Sequence, residues 1–382
     1  MTIKEKSTVP IPPVGADGEQ PLSQNTNPSI AGESAEINDD LGFEELAGKM
    51  RRMSDPAFMN TFTMNELYET TYESRPPIID GLLYPGTFLF VGAPKVGKSF
   101  LMAQLAYHVS VGLKLWGYAV NMGTVLYLAL EDTPKRLQGR MFRMFGENST
   151  NNLHFTTAGA KQIGLGLDEQ LRGFVHKHPD TKLIIIDTLQ KVREAGGDSF
   201  SYANDYELVG KLKAFADARH LCLLLVHHTR KQQADDKFDM ISGTNGLLGA
   251  ADGAFLLQKE KRTSNSATLD ISGRDQQDQR LYLTKDVDCL TWQLERAENE
   301  LWKEPPDPIL EAVAALVTVE QPSWSGTPTE LVGRIGLDIK PNALSMRLNV
   351  KIGRLLNEYR VRYENNRTHA GRHIMLSLIS EA

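Results

Sequence analysis

Between about residues 77 and 295 the apolar positions fall into two alternating patterns. Four short runs, at 88–91, 125–130, 183–186 and 221–226, are almost continuously apolar, as strands covered on both faces should be. Between them apolar residues recur at helical spacing, as at Leu101, Leu105, Ala106 and Val109. The same spacing predicts helices over Pro134–Phe145, Leu167–Lys177 and 205–219, the first opened by Thr133 as N-cap with Pro134 behind it. This alternation predicts an α/β domain around a mostly parallel sheet. Beyond a further run at 255–258, the segments 267–272, 280–284 and 290–294 are short and separated by turn residues. They predict antiparallel strands at one edge of that sheet.

Both patterns stop at Glu304-Pro-Pro-Asp-Pro308, which reads as a linker. After it, 309–317 and 327–336 predict short helices and 342–359 a longer one. Residues 359–364 and 373–378 predict two strands flanking a turn over 365–372. The expected division is therefore a main domain over 77–303, a linker over 304–308 and a separate module over 309–382. Ahead of the main domain, 1–41 is rich in Pro, Ser, Asn and acidic residues and has no apolar period. Such a composition cannot bury enough surface to offset ordering entropy, so a disordered acidic tail is expected. A lead-in segment over 42–76 follows, with a short amphipathic stretch near 41–47.

Composition changes this picture little. The net charge of −6 excludes a uniformly basic nucleic-acid binder. Two cysteines, Cys222 and Cys289, cannot form a disulfide framework, and no stretch has the form of a signal peptide or membrane span. A cytoplasmic location is expected.

The chemistry begins directly after the first strand. Gly92-Ala93-Pro94-Lys95-Val96-Gly97-Lys98-Ser99 fits the pattern G-x-x-x-x-G-K-[ST], and the nucleotide-binding stretch continues into Phe100. In such a loop backbone N–H groups cradle a polyphosphate, the lysine reaches its β- and γ-phosphates, and the serine ligates Mg²⁺. ATP and Mg²⁺ are the expected cofactors. The run at 183–186 ends in Asp187, the carboxylate that organises the metal shell. The run at 125–130 ends in Glu131 and Asp132. Glu131 can orient and deprotonate an attacking water, although both carboxylates also suit the N-terminus of the next helix. The run at 221–226 ends in His227 and His228, one of which can sense the γ-phosphate. Adjacent side chains on a strand point oppositely and no Cys or His partner lies at metal spacing, so a zinc site is not expected.

In order, the phosphate loop, Leu130-Glu-Asp132, Ile184-Ile-Ile-Asp-Thr188, Val226-His-His-Thr-Arg-Lys231, Ser242-Gly-Thr-Asn-Gly246, Gly249-Ala-Ala-Asp252 and Ser272-Gly-Arg-Asp275 resemble the RecA-fold ATPases of the plasmid RepA type, relatives of the hexameric replicative helicases. The resemblance covers about residues 75–295. It implies a RecA-like P-loop core, Lys98 and Ser99 as phosphate and Mg²⁺ ligands, and Asp187 as the metal-organising carboxylate. It further implies Glu131 as the catalytic base, His228 as the γ-phosphate sensor and Arg274 as an arginine finger for the adjacent subunit. Loops after the third and fourth core strands would line a channel for single-stranded DNA through Lys191, Arg193, Arg230 and Lys231, although nearby carboxylates balance them.

The C-terminal module resembles a winged helix, and Arg347, Lys351, Arg354 and Arg372 make its far half basic, suited to phosphate contacts on duplex DNA. A protein-docking module is the alternative. The expected protein is a homo-oligomeric ring motor on DNA, a hexamer by the resemblance, that serves replication of a plasmid or mobile element. The alternatives are a DNA-bound ATP switch and a P-loop small-molecule kinase.

Overall fold

The computed structural model describes residues 57–59, 61–72, 76–193, 202–229, 237–241, 245–259, 261, 263–274, 276–298, 305–368 and 371–379. Met64–Ala382 forms one unit, and residues up to Thr63 belong to another.

In chain order the elements are α1 (Met64–Glu69), β1 (Gly86–Gly92), α2 (Lys98–Val111), β2 (Thr124–Ala129), α3 (Pro134–Phe145), β3 (Leu153–Thr156), α4 (Leu167–Lys177), β4 (Thr181–Asp187), α5 (Tyr202–Asp217), β5 (Cys222–His228), α6 (Asn245–Ala250), β6 (Gly253–Gln258), β7 (Ser266–Gly273), β8 (Gln279–Lys285) and β9 (Trp292–Ala297). The strands form one sheet in the order β3-β2-β4-β5-β1-β6-β7-β8-β9. From β3 to β6 neighbours run parallel. From β6 to β9 they run antiparallel, so the change of style read at residue 267 is a change of strand direction. Among the described residues no helix is long and apolar enough to cross a membrane.

Period-two alternation explains how continuous apolar runs fill two cores. Phe88, Phe90, Tyr127, Ile185 and Leu224 point to one face, where Leu101, Met102 and Leu105 of α2 cover them. Leu89, Val91, Leu128, Ile186 and Leu225 point to the other, against Leu171 of α4 and Val209 and Leu212 of α5.

The C-terminal elements are α7 (Pro308–Ala314), β10 (Ser323–Gly326), α8 (Pro328–Ile335), α9 (Pro341–Val350), α10 (Ile352–Tyr359), β11 (Val361–Thr368) and β12 (Gly371–Leu378). They enclose their own core, centred on Leu310, Leu331, Leu344, Leu348, Tyr363 and Leu376. Thr327 and Glu330 form a reciprocal capping box at the start of α8. The N-terminal helix α1 also ends on this module. Asn349 of α9 donates to the Tyr68 and Glu69 carbonyls at 2.9 and 3.1 Å, and Glu69 pairs with Arg372 at 2.7 Å.

Three local expectations need correction. The helix expected over 342–359 is two helices, broken at Lys351, because Asn349, Val350, Ile352 and Gly353 are all weak helix formers. The turn expected over 365–372 is mostly ladder, with Arg367 opposite Arg372 and Thr368 opposite Gly371. The last strand of the main sheet starts at Trp292 rather than Leu290, which has φ 61° and belongs to the preceding turn. The short strands β3 and β10 carry too few apolar residues to announce themselves. The tail over 1–41 and the amphipathic stretch near 41–47 lie outside the described residues.

Candidate functional site

The phosphate loop leaves β1 at the sheet edge where β2, β4 and β5 also end. Ligands bind at this carboxyl-end edge in open α/β sheets. Two glycines are required by close approach. A Cβ on Gly92 would lie 2.6 Å from the Leu257 carbonyl, and one on Gly97 would lie 2.7 Å from the ring of Trp292, at a backbone φ of 113°. Gly97 is also the N-cap of α2 and has no side chain to cap it, so the first N–H groups of that helix are left to a ligand.

Lys98 is nearly buried. Its ammonium donates to the Gly92 carbonyl at 2.8 Å, to the Ala93 carbonyl at 3.2 Å and to His228 Nδ1 at 3.2 Å. An ammonium cannot accept, so Nδ1 is the acceptor and the imidazole proton sits on Nε2. Burial brings Lys98 down to about 8, against the pull of Asp187 and Glu131. Burial, then the Lys98 charge, also lowers His228, which keeps the ring neutral.

Asp187 is 5% exposed and accepts from the Tyr127 hydroxyl at 2.8 Å. Burial raises its pKa, while hydrogen bonds from Ser99 and Tyr127 hold it down. Thr188 donates to Glu131 Oε1 at 3.2 Å. Asp132 is committed to α3 instead, accepting from Arg140 at 2.6 Å and pairing with Arg136 at 3.3 Å. Lys98, Ser99, Asp187, Glu131 and His228 therefore converge, although 131 residues of chain span positions 98–228. His227 points the other way and is buried, as alternation on a strand requires.

Arg274 lies elsewhere. Gly273 pairs with Gly253, and Gly253 lies beside Phe88, so Arg274 follows β7 at the sheet edge opposite the phosphate loop. Its guanidinium donates to the Gly249 carbonyl at 2.7 Å. Lys191 is exposed just past Asp187. Arg193, expected to face DNA, is instead 7% exposed and ion-paired to the fully buried Asp205 of α5, because a buried carboxylate needs a cation more than the surface does. Arg230 and Lys231 lie outside the described residues. In the C-terminal module Arg347 pairs with Asp307 at 2.9 Å, Arg354 with Glu358 at 2.7 Å and Arg372 with Glu69 at 2.7 Å. Three of the basic residues read from sequence thus already hold carboxylates within the fold, while Lys351 is the cap between α9 and α10.

Sequence reasoning missed several residues around the loop. Tyr127 was the one polar handle inside an apolar run, and its odd position relative to Leu126 and Leu128 turns it to the face covered by α2. Trp292 and Lys285 come from the antiparallel strands and Lys259 from just past β6, and none carried a local signal. Lys285 Nζ lies 3.5 Å from the centroid of the Phe100 ring, with Arg140 5.0 Å from the same ring. Burial, then the neighbouring Lys259, Arg140 and Arg143, bring Lys285 down to about 8.

Residues 54–234 match the family described as AAA domain. Among solved structures the chain is similar to an isolated ATPase domain, at 14% identity and a TM-score of 0.46, over 66% of this chain and 97% of that one. It is also similar to a DnaB-like replicative helicase studied with primase, at 16% identity and a TM-score of 0.49, over 66% of this chain and 71% of that one. Among curated proteins, no match to the sequence is found. The family match covers the phosphate loop, Glu131, Asp187 and His228, and the strand order sets β1 between β5 and β6 in a sheet that turns antiparallel after β6. Over residues 54–234 the chain is thus similar to the AAA domain family, and the phosphate loop it carries sits on a sheet that is parallel from β3 to β6.

Proposed function

We propose that this chain is an ATP-hydrolysing motor of the RecA-like helicase type that works on DNA as a ring. The observation that carries the reading is the convergence of Lys98, Ser99, Asp187, Glu131 and His228 at the ends of adjacent parallel strands, around an uncapped helix N-terminus. Lys98 rests on loop carbonyls and on His228. An incoming triphosphate replaces those partners with phosphate oxygens, which are better acceptors for an ammonium. Its γ-phosphate then lies within reach of His228, whose contact with Lys98 reports whether that phosphate is present. Glu131, oriented by Thr188, takes the proton of the attacking water.

Among the described residues no three His, Cys, Asp or Glu side chains gather as a metal cage. The oxygen donors of Ser99 and Asp187 instead suit Mg²⁺, which keeps waters and takes phosphate oxygens as ligands. When bound, Mg²⁺ would neutralise charge on the β- and γ-phosphates.

Arg274 supports a ring. From the far sheet edge it cannot serve its own phosphate loop, but it suits a finger presented to the adjacent copy of a hexamer. The RepA-like order of motifs supports a place in replication of a plasmid or mobile element in the cytoplasm. Helix, strand, three helices and a two-stranded hairpin, from α7 to β12, support a winged-helix module for duplex DNA, with Lys191 and the 230–231 region reserved for single strands in the channel.

The test is ATP turnover with and without single-stranded DNA. Wild type is expected to be DNA-stimulated. Lys98→Ala is expected to lose both binding and turnover. Glu131→Gln is expected to keep ATP bound while turnover falls on the order of a hundredfold or more. Wild-type turnover in Glu131→Gln refutes the assignment of the base, and strand displacement separates a motor from an ATP switch.

A further inference from the structure

Trp292 is the first residue of the outermost strand, four strands away from β1 in the sheet order. In a flat sheet that separation is roughly 19 Å, at about 4.8 Å per strand. Yet the Trp292 indole touches the phosphate loop, so the coiling of the sheet returns its edge to the start of α2. The contact is close on both sides: Trp292 Nε1 donates to the Gly97 carbonyl at 3.4 Å, and no side chain larger than hydrogen fits between Gly97 and the ring.

What holds the indole there is not the strand ladder alone. Gln104 of α2 clasps the Trp292 backbone from both directions, its amide donating to the carbonyl at 2.9 Å and its carbonyl accepting from the N–H at 2.7 Å. Trp116 adds a second donor to the same Trp292 carbonyl at 2.7 Å. Trp292 and Gln104 are both buried, so a clasp of this kind is costly to leave half made. Lys259, just past the end of β6, lies 5.5 Å from the centre of the indole ring. A tryptophan that served only to fill the core would need neither the clasp nor an N–H aimed at a loop carbonyl.

We propose that Trp292 is a positioning residue for the phosphate loop: clamped by Gln104, it fixes the Gly97 peptide and so orients Lys98 and the N–H groups that receive the phosphates. The proposal rests on the reading of 92–99 as the ATP site. It makes the antiparallel edge, whose β7–β8 connection carries Arg274, a mechanical extension of the nucleotide site rather than an appended sheet.

Phe in place of Trp292 keeps an aromatic ring, removes the donor and shrinks the side chain. For Trp292→Phe we expect a folded protein whose KM and Kd for ATP rise three- to tenfold while kcat changes less than twofold. Gln104→Leu, which frees the clasp without touching the indole, should give the same pattern, and the double variant should be no worse than either single one. Nucleotide should change the tryptophan emission of a Trp116→Phe variant, and adding Trp292→Phe should lose that change. Wild-type Kd in both single variants overturns the proposal while leaving the ATP site standing. Loss of kcat with unchanged KM overturns it too, since that pattern belongs to a role in the chemistry. A wild-type chain that binds no nucleotide overturns the reading of the loop itself.

Discussion

At the scale of single residues the site is governed by burial. Lys98 is a cation with three acceptors and little water, and burial is what brings it down to about 8. A group lowered in this way is charged below that pH and neutral above it, whereas bound phosphate favours the charged form. Affinity for ATP should therefore be flat below about pH 8 and then weaken about tenfold per unit, one proton being taken up on binding. Titration of Kd between about pH 6.5 and about pH 9.5, in steps of about half a unit, checks this. Lys285 titrates in the same range, so Lys285→Gln is the control: a fall that vanishes in that variant moves the effect from Lys98 to Lys285. Arg193 teaches the same lesson in reverse. On the sequence it is one more basic residue in a channel loop; in the fold its partner is the buried Asp205 and it has no reach to spare for DNA.

At the scale of elements, caps and ion pairs decide how firmly the C-terminal module is built. Asp307 caps α7 by accepting from the Ile309 N–H at 3.1 Å, and its other oxygen holds Arg347 at 2.9 Å. Asp307→Ala removes a cap and leaves Arg347 without its carboxylate, so a loss of about 1–3 kcal/mol is expected. Thr327→Ala, which breaks only the capping box of α8, should cost less, about 1 kcal/mol. Urea unfolding followed by emission of Trp324, which packs against this module's core, measures both. Equal losses for the two would mean that the Arg347 pair contributes nothing. The same pair bears on DNA: Arg347, Arg354 and Arg372 each hold a carboxylate already, and a phosphate must compete with it.

At the scale of the whole molecule the question is what a second copy adds. Arg274 and Lys98 stand at opposite sheet edges, so in the proposed ring each chain would supply half of each of two composite sites. Arg274→Ala alone should bind ATP and hardly turn it over. Mixed with Lys98→Ala, it should regain activity at interfaces that join an intact loop to an intact finger. Mixed rings verified by mass, with no recovery, would sink the trans assignment.

Apart from β3 and α6, the sequence by itself determined most strands and helices of the main domain and the phosphate-loop pattern within it. Both are local: a strand buried on two faces must be apolar throughout, and a phosphate loop needs its glycines and lysine at fixed spacing. The helices Pro134–Phe145 and Leu167–Lys177 were legible to the residue because the Thr133 cap of the first and the apolar stripe of each are local to the sequence. That Asp187, Glu131 and His228 would meet at one edge was legible because parallel strands deliver their last residues there; their roles remain the proposal above. The break at Lys351 was not, since weak helix formers only permit a break and packing decides it. Nor could the chain reveal that Tyr127 would meet Asp187, that Arg193 would turn inward, or that Trp292 would come back from the outermost strand to brace Gly97. Those contacts join residues 12 to 195 positions apart, and only the twist of the sheet and the burial it imposes bring them together.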